Sequence, residues 1–249
     1  MLISQPSAKT DPRMAQLTDW LSNIESVAGI DPVPASEDAS FRRYFRLQSA
    51  SQSFIVMDAP PEKEDSTPFV RIASCFESMQ LNAPRVIEAD LDLGFLLITD
   101  LGVMPYLDEL NQTPERADSL YNDAMAALIK MQQNGTAYQA SLPPYDETLL
   151  RFELSLFHDW LCEKFLGFEF SDADEQQWQM TCDLLVANAL DQRQVFVHRD
   201  YHSRNLMVMD KDNPGIIDFQ DAVEGPYTYD LVSLLKDCYV RWPADRVLA

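Results

Sequence analysis

The chain has 249 residues, 46% of them hydrophobic, which is enough to bury a substantial core in one large domain or in two lobes. Lys and Arg total 19 against 40 Asp and Glu, so the formal net charge is −21. A surface this acidic repels nucleic acid backbones and anionic membranes, and we expect neither as a partner.

The cysteines and the apolar segments indicate the compartment. Cys75, Cys162, Cys182 and Cys238 are scattered and form no C-x-x-C pair, which favours reduced thiols over a disulfide framework or a zinc site. The N-terminal segment lacks the apolar core typical of a signal peptide, and no run approaches the ~18 apolar residues of a membrane span. We therefore expect a cytoplasmic protein. Its oligomeric state is not predicted.

The first hundred residues predict two helices and four strands. Asp11-Pro12 predicts a helix start, because an N-cap residue precedes proline at the first helical position, and apolar residues recur at helical spacing from Met14 to Val27. Thr67-Pro68 repeats this signal for a second helix. Short runs rich in β-branched and aromatic residues predict strands at residues 41–47, 53–58, 85–88 and 95–99, the first two joined as a hairpin.

After Asp100 to Gly102, the predicted hinge, the pattern changes to helix. Thr113-Pro114, Asp146 and the pair Ser171 and Asp174, which has capping-box spacing, each predict a helix start. A mostly β first part and a mostly α second part are typical of an α+β protein with two lobes.

The segment from Val195 to Phe219 carries the most informative functional pattern. It places His198, Asp200 and Asn205 at the spacing H-x-D-x-x-x-x-N, in a loop between two short apolar strands, and a further strand ends at Asp218. Phosphoryl transfer from ATP needs a carboxylate that orients the attacking hydroxyl. It also needs an amide oxygen and a second carboxylate that hold Mg²⁺. We interpret Asp200 as the catalytic base and Asn205 and Asp218 as metal ligands.

The neighbouring polar residues have competing interpretations. His198, Asp200 and His202 form H-x-D-x-H, which would suit zinc or iron in a metal-dependent hydrolase, although the chain has only 3 His and no Cys lies nearby. We favour loop bracing by His198, and a structural role for Asp230 in capping a helix and anchoring the loop. His202 and Arg204 are interpreted as substrate- or phosphate-binding residues; a surface ion pair is the alternative for Arg204.

The motifs HRDYHSRN, IIDFQDA and PYTYDL resemble the aminoglycoside phosphotransferase group of the protein-kinase-like fold. The segments SFRRYFRL, MDAPPEKED and VHRDYHSRNLM are more narrowly similar to bacterial anomeric sugar kinases that act on N-acetylmuramate and N-acetylglucosamine. The resemblance covers the chain from about Asp11 onward. It implies transfer of the ATP γ-phosphate, with Mg²⁺, to the C1 hydroxyl of an amino sugar in cell-wall sugar recycling.

The resemblance also implies roles for residues and lobes. The catalytic aspartate and both metal ligands of the family match the three residues assigned above. The segment that contains Ile98, Asp100 and Leu101 matches the hinge that presents backbone groups to adenine. Residues 1–101 are then the nucleotide-binding lobe, with an antiparallel sheet. Residues 102–249 are the mainly helical lobe for catalysis and substrate binding.

The chain departs from the family pattern in three places. The hairpin that would cover the nucleotide contains no glycine in residues 39–46, and the strand at 53–58 lacks the lysine that pairs with the α- and β-phosphates in kinases. Arg43 is interpreted as the replacement cation, on the opposite strand face from Arg42 and Arg46; the alternative is that all three are solvated. The sequence also stops before further helices that the resemblance implies, so we expect either a truncated second lobe or a short variant of the family.

Three alternative functions stay open. The first is another small-molecule kinase of this fold, acting on an aminoglycoside, choline or homoserine. The second is a catalytically impaired pseudokinase, which the missing lysine favours and the intact H-x-D-x-x-x-x-N loop opposes. The third is the metal-dependent hydrolase. A protein kinase is disfavoured, because no A-P-E element follows Asp218 and little sequence separates it from Asp230.

Overall fold

The computed structural model describes residues 11–36, 41–49 and 52–247. The expectations that rest on the first ten residues, on residues 39–40 and on the final two lie outside this part of the chain. The chain divides into two compact units, Met1–Glu77 with Ala83–Gly102, and Ser78–Asn82 with Val103–Ala249. Residues 78–82 precede the predicted boundary after residue 101 but belong to the second unit. The functions assigned to the two lobes stay a prediction.

The first unit contains a five-stranded antiparallel sheet of order β1-β2-β3-β5-β4. Its strands are β1 (Val33–Ser36), β2 (Arg43–Gln48), β3 (Ser53–Asp58), β4 (Val86–Asp90) and β5 (Phe95–Thr99). The four predicted strands and the β2–β3 hairpin are confirmed. The sequence analysis missed β1, which contains Pro34. This proline is tolerated because β1 is an edge strand.

Two helices complete the first unit, α1 (Pro12–Ser22) and α2 (Thr67–Ser78, whose last residue belongs to the second unit). Asp11 caps α1 by accepting a hydrogen bond from the Arg13 N–H at 3.0 Å. The predicted helix is too long, because α1 ends at Ser22 and tight turns follow. Apolar side chains of α1 and of the sheet nevertheless form one core with Val27: Leu17, Leu21, Phe45, Leu47, Val56, Phe95 and Leu97.

The second unit is mainly helical. Its helices are α3 (Tyr106–Gln112), α4 (Ala117–Asn134), α5 (Glu147–Leu156), α6 (Asp172–Asp191), α7 (Tyr229–Leu235) and α8 (Ala244–Val247), with a π-helical segment at Phe157–Phe165. Asp146 caps α5 through the Leu149 N–H, and Ser171 with Asp174 forms the predicted capping box of α6. At Thr113-Pro114 the chain instead begins a short 3₁₀ turn, and α4 starts three residues later.

Two small antiparallel ladders in the second unit position the functional loop. Strand β6 (Gln194–Val197) pairs with β9 (Val223–Pro226), and β7 (Leu206–Met207) pairs with β8 (Gly215–Ile216). Residues 198–205, hereafter the catalytic loop, connect β6 to β7. The side chains of Val195 to Val197 are buried, so the loop starts from a fixed base.

Two further expectations concern the cysteines and membrane spans. All four cysteines are free thiols, three of them buried and Cys238 exposed. None of the described helices combines the length and apolar character needed to cross a membrane.

Two glycines with similar backbone conformations test how much close packing contributes to the stability of the first unit. Gly94 (φ +72°) and Gly29 (φ +79°) both lie in the left-handed region, which costs an L-residue about 1–2 kcal/mol. A Cβ at Gly94 would meet the Ala59 carbonyl oxygen at 1.9 Å, whereas a Cβ at Gly29 meets nothing within 4 Å. We expect Gly94→Ala to lower the free energy of unfolding by a further ~2 kcal/mol relative to Gly29→Ala, measured by urea denaturation. Equal losses would contradict this packing argument.

Candidate active site

Three predicted functional side chains meet in the second unit, at the catalytic loop and the residue that follows β8. The Asn205 Nδ2 donates hydrogen bonds to the Asp200 carbonyl oxygen at 3.1 Å and to the Asp218 Oδ2 at 3.2 Å. Both carboxylate side chains belong to exposed residues. Because Nδ2 makes both bonds, the amide oxygen of Asn205 is its atom that could bind a cation. The structure thus brings together two carboxylates and an amide oxygen.

Asp200 is exposed at the surface of its unit, yet the protein still alters its acidity. Packed atoms around the carboxylate reduce its solvation, and the nearby charge of Asp218 adds a like-charge repulsion. Both effects raise the pKa of Asp200 above its usual value. An accessible carboxylate with a raised pKa can accept a hydrogen bond or a proton from a hydroxyl group.

Asp218 is held in an unusual backbone conformation, with φ +64°. Its Oδ1 accepts a hydrogen bond from the Gln220 Nε2 at 2.8 Å, and the preceding Ile217 N–H donates to the Asn205 carbonyl oxygen at 3.0 Å. A non-glycine residue at positive φ costs free energy and persists only where the surroundings fix it. Sequence analysis did not assign Gln220 this orienting contact.

His198 lies beneath the loop, fully buried. Its ring Nε2 lies 3.1 Å from the Ile217 carbonyl oxygen, and its Nδ1 accepts a hydrogen bond from the Asp200 N–H at 3.3 Å. Burial lowers the pKa of His198 to about 3, so the ring is neutral, with its proton on Nε2. Both ring nitrogens are therefore used within the protein, and the geometry disfavours a metal site built from His198, Asp200 and His202.

Asp230 is the second residue of α7 and does not cap it, because the N-cap position is Thr228; its carboxylate holds the beginning of the catalytic loop. It is 1% exposed, and its carboxylate accepts the His198 N–H at 2.8 Å and the Arg199 N–H at 3.0 Å. Burial raises the pKa of Asp230 to about 7, although the two hydrogen bonds act in the opposite direction. Arg199 adopts φ +78°, which presents its N–H and that of His198 to one carboxylate.

A polar cluster that sequence analysis missed holds the Arg199 side chain. Its guanidinium forms an ion pair of 2.6 Å with Glu153 of α5. The Glu153 carboxylate also accepts hydrogen bonds from the hydroxyl groups of Tyr145 and Tyr229, the latter at 3.1 Å. Burial, together with the neighbouring Glu153, raises the pKa of both phenols, so they are donors at neutral pH. Glu153 lies 46 residues before Arg199 in the sequence, and no local motif marks it.

The other two loop candidates contact the segment that follows α7. The His202 ring packs edge-on against Tyr239, with ring centroids 5.4 Å apart. The Arg204 guanidinium lies 4.9 Å from the centroid of the same ring and donates a hydrogen bond to the tyrosine hydroxyl at 3.3 Å. The Asp237 carboxylate accepts the Ser203 N–H at 2.9 Å, which ties this segment to the loop.

The predicted cofactor-binding residues all lie in the first unit. Ile98 is buried within β5, where it pairs with residues of β3 and β4. Asp100 and Leu101 follow the end of that strand. Burial acts to raise the pKa of Asp100, but hydrogen bonds from Arg46, Ser53 and the Gly102 N–H outweigh it, and the pKa lies below its usual value.

Arg43 lies over the Phe45 ring, as strand alternation predicts, and its guanidinium forms ion pairs with Asp58 and Asp11. Arg42 and Arg46 also pair with carboxylates, those of Glu64 and Asp100. The alternative of three merely solvated arginines is therefore wrong. Phosphate binding by Arg43 stays a prediction.

Similarity to known proteins identifies the family. The family described as "Phosphotransferase enzyme family" matches residues 31–249. The chain belongs to this family. It is 47% identical to an N-acetylmuramate/N-acetylglucosamine kinase of Pseudomonas aeruginosa, over 96% of this chain and 72% of that protein. It is 40% identical to the Neisseria meningitidis protein of the same name, over 95% of this chain and 70% of that protein.

Solved structures show the same fold at low sequence identity. The ADP-bound aminoglycoside phosphotransferase APH(2'')-Ib matches 90% of this chain and 76% of its own, with 16% identity and a TM-score of 0.61. The GDP complex of aminoglycoside 2'-phosphotransferase-IIIa matches 92% of this chain and 79% of its own, with 14% identity and a TM-score of 0.65. The predicted family and the predicted α+β, protein-kinase-like fold class are confirmed.

The buried neutral His198 predicts a dependence of stability on pH. The pKa of His198 is about 3 in the folded protein against its ordinary value of 6.5, so the unfolded chain binds a proton first as the pH falls. Stability from this group is complete above about pH 6.5 and is lost as the pH falls towards about 3. We expect His198→Asn, which cannot titrate, to flatten the decline in free energy of unfolding between about pH 7 and pH 5. Parallel profiles for both proteins would contradict a neutral buried His198.

Proposed function

We propose that this protein transfers the γ-phosphate of ATP to the anomeric C1 hydroxyl of an amino sugar, N-acetylmuramate or N-acetylglucosamine, in cell-wall sugar recycling. The observation that carries the proposal is the convergence of Asp200, Asn205 and Asp218. The names of the curated relatives, at 40–47% identity, support the acceptor. ATP and the sugar are then its partners, and we propose the ATP-containing cytoplasm as its location.

Asp200 would act on the acceptor hydroxyl. Its carboxylate aligns the hydroxyl oxygen with the γ-phosphorus and accepts the proton as the new P–O bond forms. The bond from the γ-phosphorus to the bridging oxygen breaks, and ADP leaves with that electron pair. The raised pKa of Asp200 makes it a better proton acceptor than an ordinary aspartate. The His198 Nδ1, which accepts the Asp200 N–H, fixes the backbone from which this carboxylate projects.

Asn205 and Asp218 would hold Mg²⁺. Both offer hard oxygen atoms, and the hydrogen bond from the Asn205 Nδ2 to the Asp218 Oδ2 keeps the two side chains together, so the donor set fits this cation. When bound, the ion neutralises charge on the phosphate oxygens. Gln220 fixes the Asp218 carboxylate through its other oxygen.

Nucleotide binding is assigned to the first unit. We propose that the backbone of Ile98, Asp100 and Leu101 contributes the adenine contacts; the latter two follow the end of β5 and are less engaged in the sheet than Ile98. Arg43 would contact phosphate. To bind there, the phosphate would compete with the Asp11 carboxylate for one guanidinium nitrogen of Arg43.

A pseudokinase is the second candidate, because Arg42, Arg43 and Arg46 all pair with carboxylates and the strand β3 has no lysine. A thermal-shift titration with ATP, with and without Mg²⁺, and a turnover assay with both sugars distinguish the two. Binding of nucleotide without turnover on any acceptor would favour the pseudokinase.

Replacement of the catalytic base tests the role of Asp200. We expect Asp200→Asn to lower kcat by at least ~100-fold while the melting temperature is unchanged or raised, because the variant removes a charge that Asp218 repels. A coupled ADP-release assay measures the rate. Asp210→Asn, an exposed aspartate between β7 and β8, is the matched control and should keep full activity. Retained activity in Asp200→Asn would rule out its role as base.

The metal assignment predicts a change in Mg²⁺ dependence. We expect Asp218→Asn to raise the Mg²⁺ concentration needed for half-maximal turnover by at least ~10-fold, because one anionic oxygen donor is lost. The measurement is a Mg²⁺ titration at saturating ATP and sugar, with Asp210→Asn again as control. An unchanged Mg²⁺ requirement would show that Asp218 does not hold the ion.

A further inference from the structure

Arg204 differs from several other arginines of the chain in how its charge is used. Arg199, five residues from Arg204 in the same loop, forms an ion pair with Glu153, and the β2 arginines also pair with carboxylates. Arg204 is exposed and forms no ion pair with any carboxylate in the described part of the chain. In a protein with a formal charge of −21, an arginine at the catalytic loop without a carboxylate partner is available for an anion from outside the chain.

Tyr239 fixes the position of this guanidinium. The Arg204 carbon Cζ lies 4.9 Å from the tyrosine ring centroid, and the Arg204 Nη1 donates to the hydroxyl at 3.3 Å. Cation–π contact orients the guanidinium plane but does not neutralise its charge. The His202 ring contacts the same tyrosine, at 5.4 Å between ring centroids. The guanidinium is thus held against an aromatic surface while other nitrogen atoms of its fork remain to bind an anion.

Asp237 fixes the position of Tyr239 relative to the catalytic loop. One of its carboxylate oxygens accepts the Ser203 N–H at 2.9 Å, and the other accepts the Tyr239 N–H at 2.7 Å. Asp237 therefore binds the backbone of Tyr239 and the backbone of the residue before Arg204. Asp237 is a positioning residue in this arrangement, since it contacts the backbone of both segments.

We propose that Arg204, held on Tyr239, binds the carboxylate of the acceptor and so selects anionic amino sugars. The inference rests on the proposed function and deepens it. N-Acetylmuramate differs from N-acetylglucosamine by a lactyl ether group that ends in a carboxylate. Arginine matches a carboxylate with two parallel N–H···O bonds, and a locally fixed cation offsets the repulsion that this acidic protein exerts on an anionic acceptor.

The pair of sugars provides an internal comparison for the test. We expect Arg204→Gln to lower kcat/KM for N-acetylmuramate by about tenfold or more and to change kcat/KM for N-acetylglucosamine by less than about twofold. The KM for ATP should not change. Arg204→Lys, which keeps the charge and loses the planar fork, should fall between the two proteins. Arg193→Gln removes an exposed arginine outside the loop and is the matched control.

Each other outcome overturns the inference in a recognisable way. Equal losses on both sugars would mean that Arg204 shapes the loop, and a raised KM for ATP would mean that it binds nucleotide phosphate. If the unsubstituted protein phosphorylates neither sugar, the proposed function fails. Calorimetric titration with each sugar then decides the inference separately: Arg204→Gln must weaken binding of N-acetylmuramate alone, and absence of binding by either sugar refutes both.

Discussion

The Asp230 carboxylate accepts the backbone N–H groups of His198 and Arg199 at the point where β6 ends. These two bonds fix the direction in which the chain leaves the strand, so the next residue, Asp200, has a defined starting point. The neutral His198 ring continues the same network, because it links the Asp200 N–H to the Ile217 carbonyl beside Asp218. One buried acidic side chain thus fixes the backbone that leads to Asp200, and the His198 ring connects this backbone to the residue before Asp218.

The pairing of charges organises the rest of the molecule. Acidic residues outnumber basic ones about two to one, and arginines of both units pair with carboxylates: Arg43 with Asp58, and Arg199 with Glu153. Such pairs hold segments in place, and an anionic ligand must compete with the carboxylate for the guanidinium, as phosphate would at Arg43. Arg204 contacts an aromatic ring instead, which holds the side chain without neutralising it. Arg204 can therefore bind an anion without displacing a carboxylate of the protein.

The sequence predicted the parts of the site that depend on local spacing. A loop between two short apolar strands brings Asp200 and Asn205 together, and the following hairpin returns the chain to Asp218, so motif spacing was sufficient. Helix starts with side-chain caps were predicted for the same local reason. The contact of Glu153 with Arg199 was not predictable, because it joins residues far apart in the sequence and resembles any helical glutamate. Strand β1 was missed because its proline contradicts strand propensity and only its edge position permits it.

The left-handed backbone at Arg199 also limits how this position can vary during evolution. Glycine would adopt φ +78° without strain, but it would remove the ion pair with Glu153 and leave the two tyrosine hydroxyls on a carboxylate without its counter-charge. Lysine could keep an ion pair with Glu153 but would lose the planar guanidinium, and the remaining side chains would lose the pair; all of them would keep the strain. No single substitution at this position both relieves the backbone strain and keeps the Arg199–Glu153 ion pair. We therefore expect residue 199 to change only together with its partner in α5. A helix distant in sequence is therefore expected to co-vary with the catalytic loop.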